Sequence, residues 1–445
     1  MSIGRRIPVA CGIDVGTTNT KAVAIDEEGV VVARASRPTP RDVDGLFIDA
    51  TVLLESIQDL VARVCGDAYQ MHAVSAAGVG EDGVLLDVDL QPLTGSLAWF
   101  DPRRQGIFHR LRPDLDDDTT FDVASDPART LVGWRWAREQ TPSDPHCWVA
   151  LADLSMVRWA GRPFMSDTVA SRTAAWRSID RAWATDRVAL TLGDSDLLPP
   201  VLCGGDVVGE LSDPVLRDAG IVASDAIAVA GGHDHPVGAW GVHQMAPNSV
   251  LDSMGTAEVV VATAPLPTAH RRGGVDLAPA IMSSGVVRLQ VEELARNVDW
   301  AAQDREVARH IRGLLAGSES PEAVMDSSYF VPGQRGGGRP RYATDAPRSP
   351  RARASAVLVA LARAGQRAVD AVTDGAESPD VRMAGGWIRS PGWLEIKAAV
   401  SGRRAAAILE PEVTAVGAAI LAARARGWRP DATASLAGLS ALSTR

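Results

Sequence analysis

Short apolar runs separated by glycine-bearing polar turns open the chain. "VACGIDVG" and "TKAVAID" are apolar over the length of a strand, and the "EEGV" that follows signals a hairpin into a third strand, "VVARASRP". "TVLLESIQDLVARVCGD" then spaces its apolar residues for a helix, and "MHAVSAAGVG" returns to a strand. Later, "NSVLDSMGTAEVVVATAPL" is again strand, glycine turn, strand, and "RARASAVLVALARAGQRAVDAVTDG" is a long amphipathic helix. "VRMAGGWIRSPGWLEIKAAVSG" predicts a short strand, a double-glycine turn and a helix. "EVTAVGAAILAARARGW" closes the pattern with an alanine-rich helix ended by Gly427.

Three strands, a helix and a strand form the opening of an actin-like, ribonuclease-H-like α/β core, and the second half repeats the grammar. Two similar halves predict two lobes with a cleft between them. The Gly, Pro and Arg-rich piece from Pro332 to Arg353 is expected to be a surface loop.

Bulk properties narrow the picture. A chain of 445 residues is long enough for two or three domains. A net charge of −10 with scattered basic residues argues against a nucleic-acid binder, since phosphate neutralisation requires clustered cations. "RRG" at Arg271 and "RGGGRPR" from Arg335 read as solvated loops. Cysteines at 11, 65, 147 and 203 show no CxxC spacing, which disfavours a zinc ribbon or a disulfide framework and fits a reducing, cytoplasmic setting. No window reaches the ~18 apolar residues of a membrane span, so a soluble, unprocessed protein without membrane partners is expected. Only Lys21 and Lys397 are lysines, so a lysine within a motif stands out.

Three segments carry chemistry. "DVGTTNTK" follows a buried strand, and its turn of Gly16, Thr17, Thr18, Asn19 and Thr20 offers backbone N–H groups and hydroxyls without bulk, which suits a polyphosphate. It lacks P-loop spacing and no helix follows; a plain hairpin turn is the alternative. Asp14 at the strand end is placed to hold hydrated Mg2+. Lys21 would help with phosphate charge or lie on the strand's solvent face. "DSMGTAEVV" is a second turn of this type, with Gly255 and Thr256 at its tip, and two such turns in equivalent places suggest a bound nucleotide. "AVAGGHDHPVGAWG" leaves three readings open for His233-Asp234-His235: zinc ligation with His243 as the nearest further ligand, general-base work, or capping of the helix that starts near Pro236.

The ordered set of motifs, from about Cys11 to Gly427, resembles the FGGY family of carbohydrate kinases. "DVGTTNTK" and "SMGTAE" resemble its two phosphate motifs, "AGGWIRSPGWLEIKAAVSG" its adenosine segment, and "EVTAVGAAILAARARG" its closing helix. "GVGEDGVLLDVDLQPLTGSLAWFDPR", "SDTVASRT" and "LPPV" stand where the family has sugar-side landmarks.

The resemblance implies two ribonuclease-H-like (actin-like ATPase) domains: residues 1–241 for the sugar, the first phosphate motif and the base; 242–430 for ATP; and a tail, 431–445. It implies an ATP- and Mg2+-dependent kinase of a small sugar, polyol or sugar acid, with a homodimer as one assembly. Asp234 would be the general base. Gly16, Thr17, Thr18, Asn19, Lys21, Gly255, Thr256, Gly385 and Gly386 would bind nucleotide, the last two by letting backbone approach the adenine or ribose. Gly80, Glu81, Asp82, Trp99, Asp234 and His235 would face the acceptor. The alternatives are a solvated turn for Glu81 and Asp82, a core position for Trp99, helix packing for the glycine pair, and a structural ion pair for Asp101 and Arg103. The acceptor stretch departs from the signatures of xylulose and glycerol kinases. The chain is also shorter than usual for the family, and Ala399 replaces the acid many relatives carry. The other reading kept open is a catalytically silent actin-fold protein that senses a sugar or nucleotide.

Overall fold

The computed structural model describes residues 6–438 except 117, 142–143, 266–270, 272, 323–327 and 335–337. Two compact units form. The first comprises the described residues of Met1–Pro247, Pro265–Val287 and Glu412–Arg445; the second those of Asn248–Ala264 and Arg288–Pro411.

In the first unit the opening apolar runs become β1 (Ile7–Val15), β2 (Asn19–Ile25) and β3 (Val31–Pro38), then α1 (Ala50–Cys65) and β4 (Tyr69–Gly78). The hairpin signal is the turn at Gly29, whose φ of +95° only glycine adopts without strain. Asp49 starts α1 by accepting the N–H groups of Thr51 and Val52. With β5 (Val207–Glu210) and β6 (Val222–His233), these strands make a six-stranded sheet in the order β5-β6-β4-β1-β2-β3. β6 and β4 lie parallel to β1 at the centre, and α2 (Asp234–Met245) begins at the residue after β6.

The closing helix, Val413–Ala425, belongs to this unit, so a single division of the chain after residue 241 does not describe its composition. Small residues explain the packing. A Cβ on Gly12 of β1 would collide with the Ala415 carbonyl, and one on Gly417 would lie 2.5 Å from the Val237 carbonyl of α2. Backbone therefore touches backbone where an ordinary side chain would hold the elements apart.

The second unit repeats strand, turn, strand with β7 (Val250–Met254) and β8 (Ala257–Ala264). The long amphipathic run is α3 (Pro350–Val372), followed by β9 (Val381–Ala384), α4 (Pro391–Ser401) and β10 (Ala406–Ala407). Neighbouring strands run β8-β7-β9-β10. Part of the expected Pro332–Arg353 loop, 335–337, lies outside the described residues, as does the tail from 439. The rest is not all loop. Arg341–Tyr342 pairs with Phe330–Val331, because Tyr342 packs on Phe330 and Trp300 at ring separations of 5.6 and 5.5 Å. Pro350–Arg353 is the first turn of α3, started by Ser349 with Pro350 at the first helical position.

Candidate active site

The first glycine turn joins β1 to β2, where Asp14 pairs with Lys21 across the ladder. Its carbonyls are all drawn into the protein. Thr39 Oγ1 donates to the Gly16 oxygen (2.7 Å), Arg41 Nη2 and Nε to that of Thr17 (2.9 and 3.2 Å), and the Thr39 N–H to that of Thr18 (3.0 Å). With the oxygens occupied, the N–H groups of Thr17 and Thr18 have no partner among the described residues. That polarity is what a phosphate requires of a turn. Sequence reasoning missed Thr39 and Arg41, which act from beyond the next strand.

Lys21 Nζ lies 3.1 Å from Asp14 Oδ2 and 3.0 Å from Glu412 Oε2, so its ammonium is held between two carboxylates. Burial opposes that charge, but the two acids outweigh it and raise the Lys21 pKa. Glu412 immediately precedes the closing helix without a side-chain capping bond, and was legible only as a residue before an alanine-rich run. Burial pushes Asp14 up to about 6; Lys21 acts against this and Asp234 adds to it.

Asp234 is the first residue of α2, and the side chains around it divide its two oxygens. Oδ1 accepts the His235 backbone N–H at 2.7 Å, and the Nε2 atoms of His233 and His235 lie 3.2 and 3.6 Å from it. Oδ2 has no partner among the described residues, and the side chain keeps 18% exposure. His233 is buried at 5% exposure, with its backbone N–H donating to Thr168 Oγ1 (2.9 Å). Burial lowers its pKa to about 4, and Arg172 reinforces the shift against the raising effect of Asp234. His235 is the more open of the two imidazoles, at 28% side-chain exposure. Among the described residues no three His, Cys, Asp or Glu side chains form a metal-binding group.

The expected acceptor-side residues lie in the same unit but in unlike surroundings. Gly80 sits under Arg172 and His233: a Cβ there would come 2.6 Å from Arg172 Cγ and 3.1 Å from His233 Cδ2. Glu81, at 4% exposure, is committed to guanidiniums. Its Oε1 accepts from Arg172 Nη2 and Nε (2.8 and 3.0 Å), and Arg129 lies 3.6 Å away. Asp276 closes the cluster, 2.9 Å from Arg172 and 3.0 Å from Arg129. Asp82 is buried, and desolvation raises its carboxyl to about 7 against the pull of Arg104. Trp99 is half-buried and ties this side to the first glycine turn, its Nε1 donating to Thr17 Oγ1 at 3.1 Å. Asp101 and Arg103 form an ion pair of 2.7 Å. Sequence reasoning singled out "SDTVASRT" by position, yet missed Arg172, Arg129 and Asp276 as partners.

In the second unit the second turn meets the double-glycine segment. Trp387 Nε1 donates to the Gly255 oxygen at 3.0 Å, and Ala295 N–H to that of Thr256 at 2.9 Å. Gly385 has φ +91°, and a Cβ there would collide with the Met254 carbonyl, so its closest demand comes from the neighbouring strand. Gly386 opens the short helical turn that follows, and Gly255 faces open space. Lys397 of α4 lies 2.6 Å from Asp252 of β7 and also contacts Glu258 of β8, forming a buried triad.

Glycine turns at strand ends beside buried carboxylates suit a protein that handles phosphate groups. A model of the N-terminal domain of the FGGY family of carbohydrate kinases matches residues 9–241, and the chain belongs to that family. The xylulose kinase of Bacillus subtilis (strain 168) is 22% identical over 446 residues, 94% of this chain and 88% of that protein. An L-fuculokinase of Salmonella typhi is 24% identical over 340 residues, 72% of this chain and 69% of that one. The crystal structure of xylulose kinase from Rhodospirillum rubrum matches with a TM-score of 0.82 at 20% identity, covering 98% of this chain and 95% of that chain. The fold is accordingly the two-domain, actin-like ATPase fold, as the ordered motifs led one to expect. No helix among the described residues is long and apolar enough to cross a membrane.

Proposed function

We propose that this carbohydrate kinase transfers the γ-phosphoryl group of Mg-ATP to a hydroxyl of a small sugar, polyol or sugar acid, with Asp234 as general base. The observation that carries the reading is the division of labour within one carboxylate. Oδ1 is held by the His235 N–H and approached by two imidazoles, while Oδ2 is left to accept a proton. As the acceptor oxygen bonds to the γ-phosphorus, its proton passes to Oδ2, the bond to the β-phosphate oxygen breaks, and ADP leaves.

The N–H groups of Thr17 and Thr18, with Gly16 and Asn19, hold phosphate oxygens, while Lys21 adds positive charge. Gly255, Thr256, Gly385 and Gly386 serve the nucleotide in residues 242–430, and residues 1–241 serve the acceptor. Asp14, a buried carboxylate at the end of β1 beside the glycine turn, suits Mg2+, which takes a carboxylate together with waters and phosphate oxygens. When bound, the ion neutralises charge on the phosphate oxygens. Asp82, Trp99, Gly80 and His235 face the acceptor, with Glu81 acting through Arg172. The kinases named above act on xylulose and L-fuculose, which puts ketoses first among acceptors to try.

The test is ADP release measured by a coupled assay over ketoses, pentoses, polyols and sugar acids. At least one acceptor should raise turnover well above the rate with ATP and water alone. Turnover that no member of such a panel raises contradicts the reading.

A further inference from the structure

The histidine before the base is buried, uncharged at neutral pH and aimed at the carboxylate, yet it is too enclosed to meet an acceptor. We propose that His233 is a positioning residue for Asp234: its Nε2–H donates to Oδ1 and fixes which oxygen faces the acceptor. This inference rests on Asp234 being the base.

Three observations carry it. The first is distance: Nε2 lies 3.2 Å from Oδ1, close but not aligned as a hydrogen bond in the unliganded site, and such contacts align and tighten once substrate is bound.

The second is confinement. The His233 backbone is tied to Thr168 Oγ1, and Gly80 lies so close that even a methyl group there would press on Cδ2 at 3.1 Å. The ring and the Arg172 side chain thus both lie against the bare backbone of Gly80. A donor held in place restricts a carboxylate that would otherwise rotate about its terminal torsion, for which the rotamer wells are broad.

The third is the tautomer. Nδ1 is buried with no hydrogen-bond partner among the described residues. Of the charged groups acting on the ring, Asp234 and Glu81 favour its charged form, while Arg172 and His235 oppose it. A proton on Nδ1 would be a buried donor without an acceptor, near a guanidinium. It would also turn the Nε2 lone pair toward the carboxylate. Protonation at Nε2 places the hydrogen toward Asp234 and the lone pair on Nδ1, so one tautomer satisfies both edges better. The adjacent His235, more exposed and 3.6 Å from the same oxygen, is left available to the acceptor.

The test uses the full chain and any acceptor that supports turnover. His233→Phe keeps a flat ring and removes the donor; His233→Gln restores an N–H near the Nε2 position. We expect His233→Phe to lower kcat by roughly 10-fold or more with acceptor KM changed less than about 3-fold, since a misplaced reacting group is costly even at short range. His233→Gln should recover most of that loss. Nitrogen-15 NMR of the wild-type imidazole should show the neutral Nε2–H form at pH 7.5. The inference is overturned if His233→Phe keeps wild-type kcat, if His233→Gln falls as far as His233→Phe, or if the spectrum shows an Nδ1–H or charged ring. Should His233→Phe fail to fold, the Gln variant and the spectrum decide. Asp234→Asn, run beside them, separates the two readings. Retained turnover there removes the base itself, whereas an inactive Asn variant beside a fully active Phe variant removes only the positioning role.

Discussion

Arg172 holds Glu81 and Asp276 at once, while Arg129 reaches the same two acids, giving a buried cluster of two cations and two anions. At 1% exposure, Arg172 cannot be removed without leaving buried carboxylates short of charge. Arg172→Met is therefore expected to destabilise the protein by about 3–5 kcal/mol, read by urea unfolding, with Arg172→Lys rescuing little because an ammonium lacks the fork. A loss under about 1 kcal/mol would show that the cluster contributes little. This cluster was the least legible part of the candidate site. Glu81 could be singled out from its neighbours in "GVGEDGV", but its partners lie 91 and 48 positions away and no local spacing announces them. The place of Asp234 at a strand-to-helix junction was legible because a strand, two glycines and a helix start surround it within a few residues.

At the scale of elements, glycines decide which substitutions the fold tolerates. Gly12 meets the closing helix through the Ala415 carbonyl, so Gly12→Ala should cost about 1–3 kcal/mol through overpacking. Gly255 has nothing within 4 Å of a Cβ, so Gly255→Ala should leave the unfolding temperature near that of the wild type. If its turn holds phosphate, the same change should raise KM for ATP; unchanged ATP kinetics would count against that role. Calorimetry and kinetics on the two variants check the contrast. Strands and helices were read well because their apolar periodicity is local. The Arg341–Tyr342 ladder was not, because it depends on Trp300 and Phe330 packing on one tyrosine from elsewhere in the chain.

Across the molecule, burial raises several acids. Asp153, bonded to Ser166, and Asp122, bonded to Ser178, are each pushed up to about 7 by desolvation. A carboxyl whose folded pKa lies above its unfolded value keeps its proton in the folded state between the two values. Unfolding then releases protons, so the stability these groups contribute is present below about pH 4 and lost as pH rises to about 7. His233 works in the opposite direction, since its folded pKa of about 4 lies below the unfolded one and favours the fold as pH rises toward 6.5. The unfolding temperature should therefore fall between pH 6.5 and 7.5, and Asp153→Asn should flatten that fall. Its amide can still accept the Ser166 N–H and donate to the Ser166 hydroxyl, which Asp153 now meets at 2.9 and 2.6 Å. An Asn variant with an unaltered pH slope would exclude Asp153 as a source.

The most direct test of the account is acceptor-dependent ADP release by wild type and Asp234→Asn at saturating ATP, with thermal unfolding to show that both fold. The account predicts a loss of at least about 100-fold in kcat with the unfolding temperature little changed. An Asn variant that phosphorylates the acceptor at the wild-type rate would contradict it.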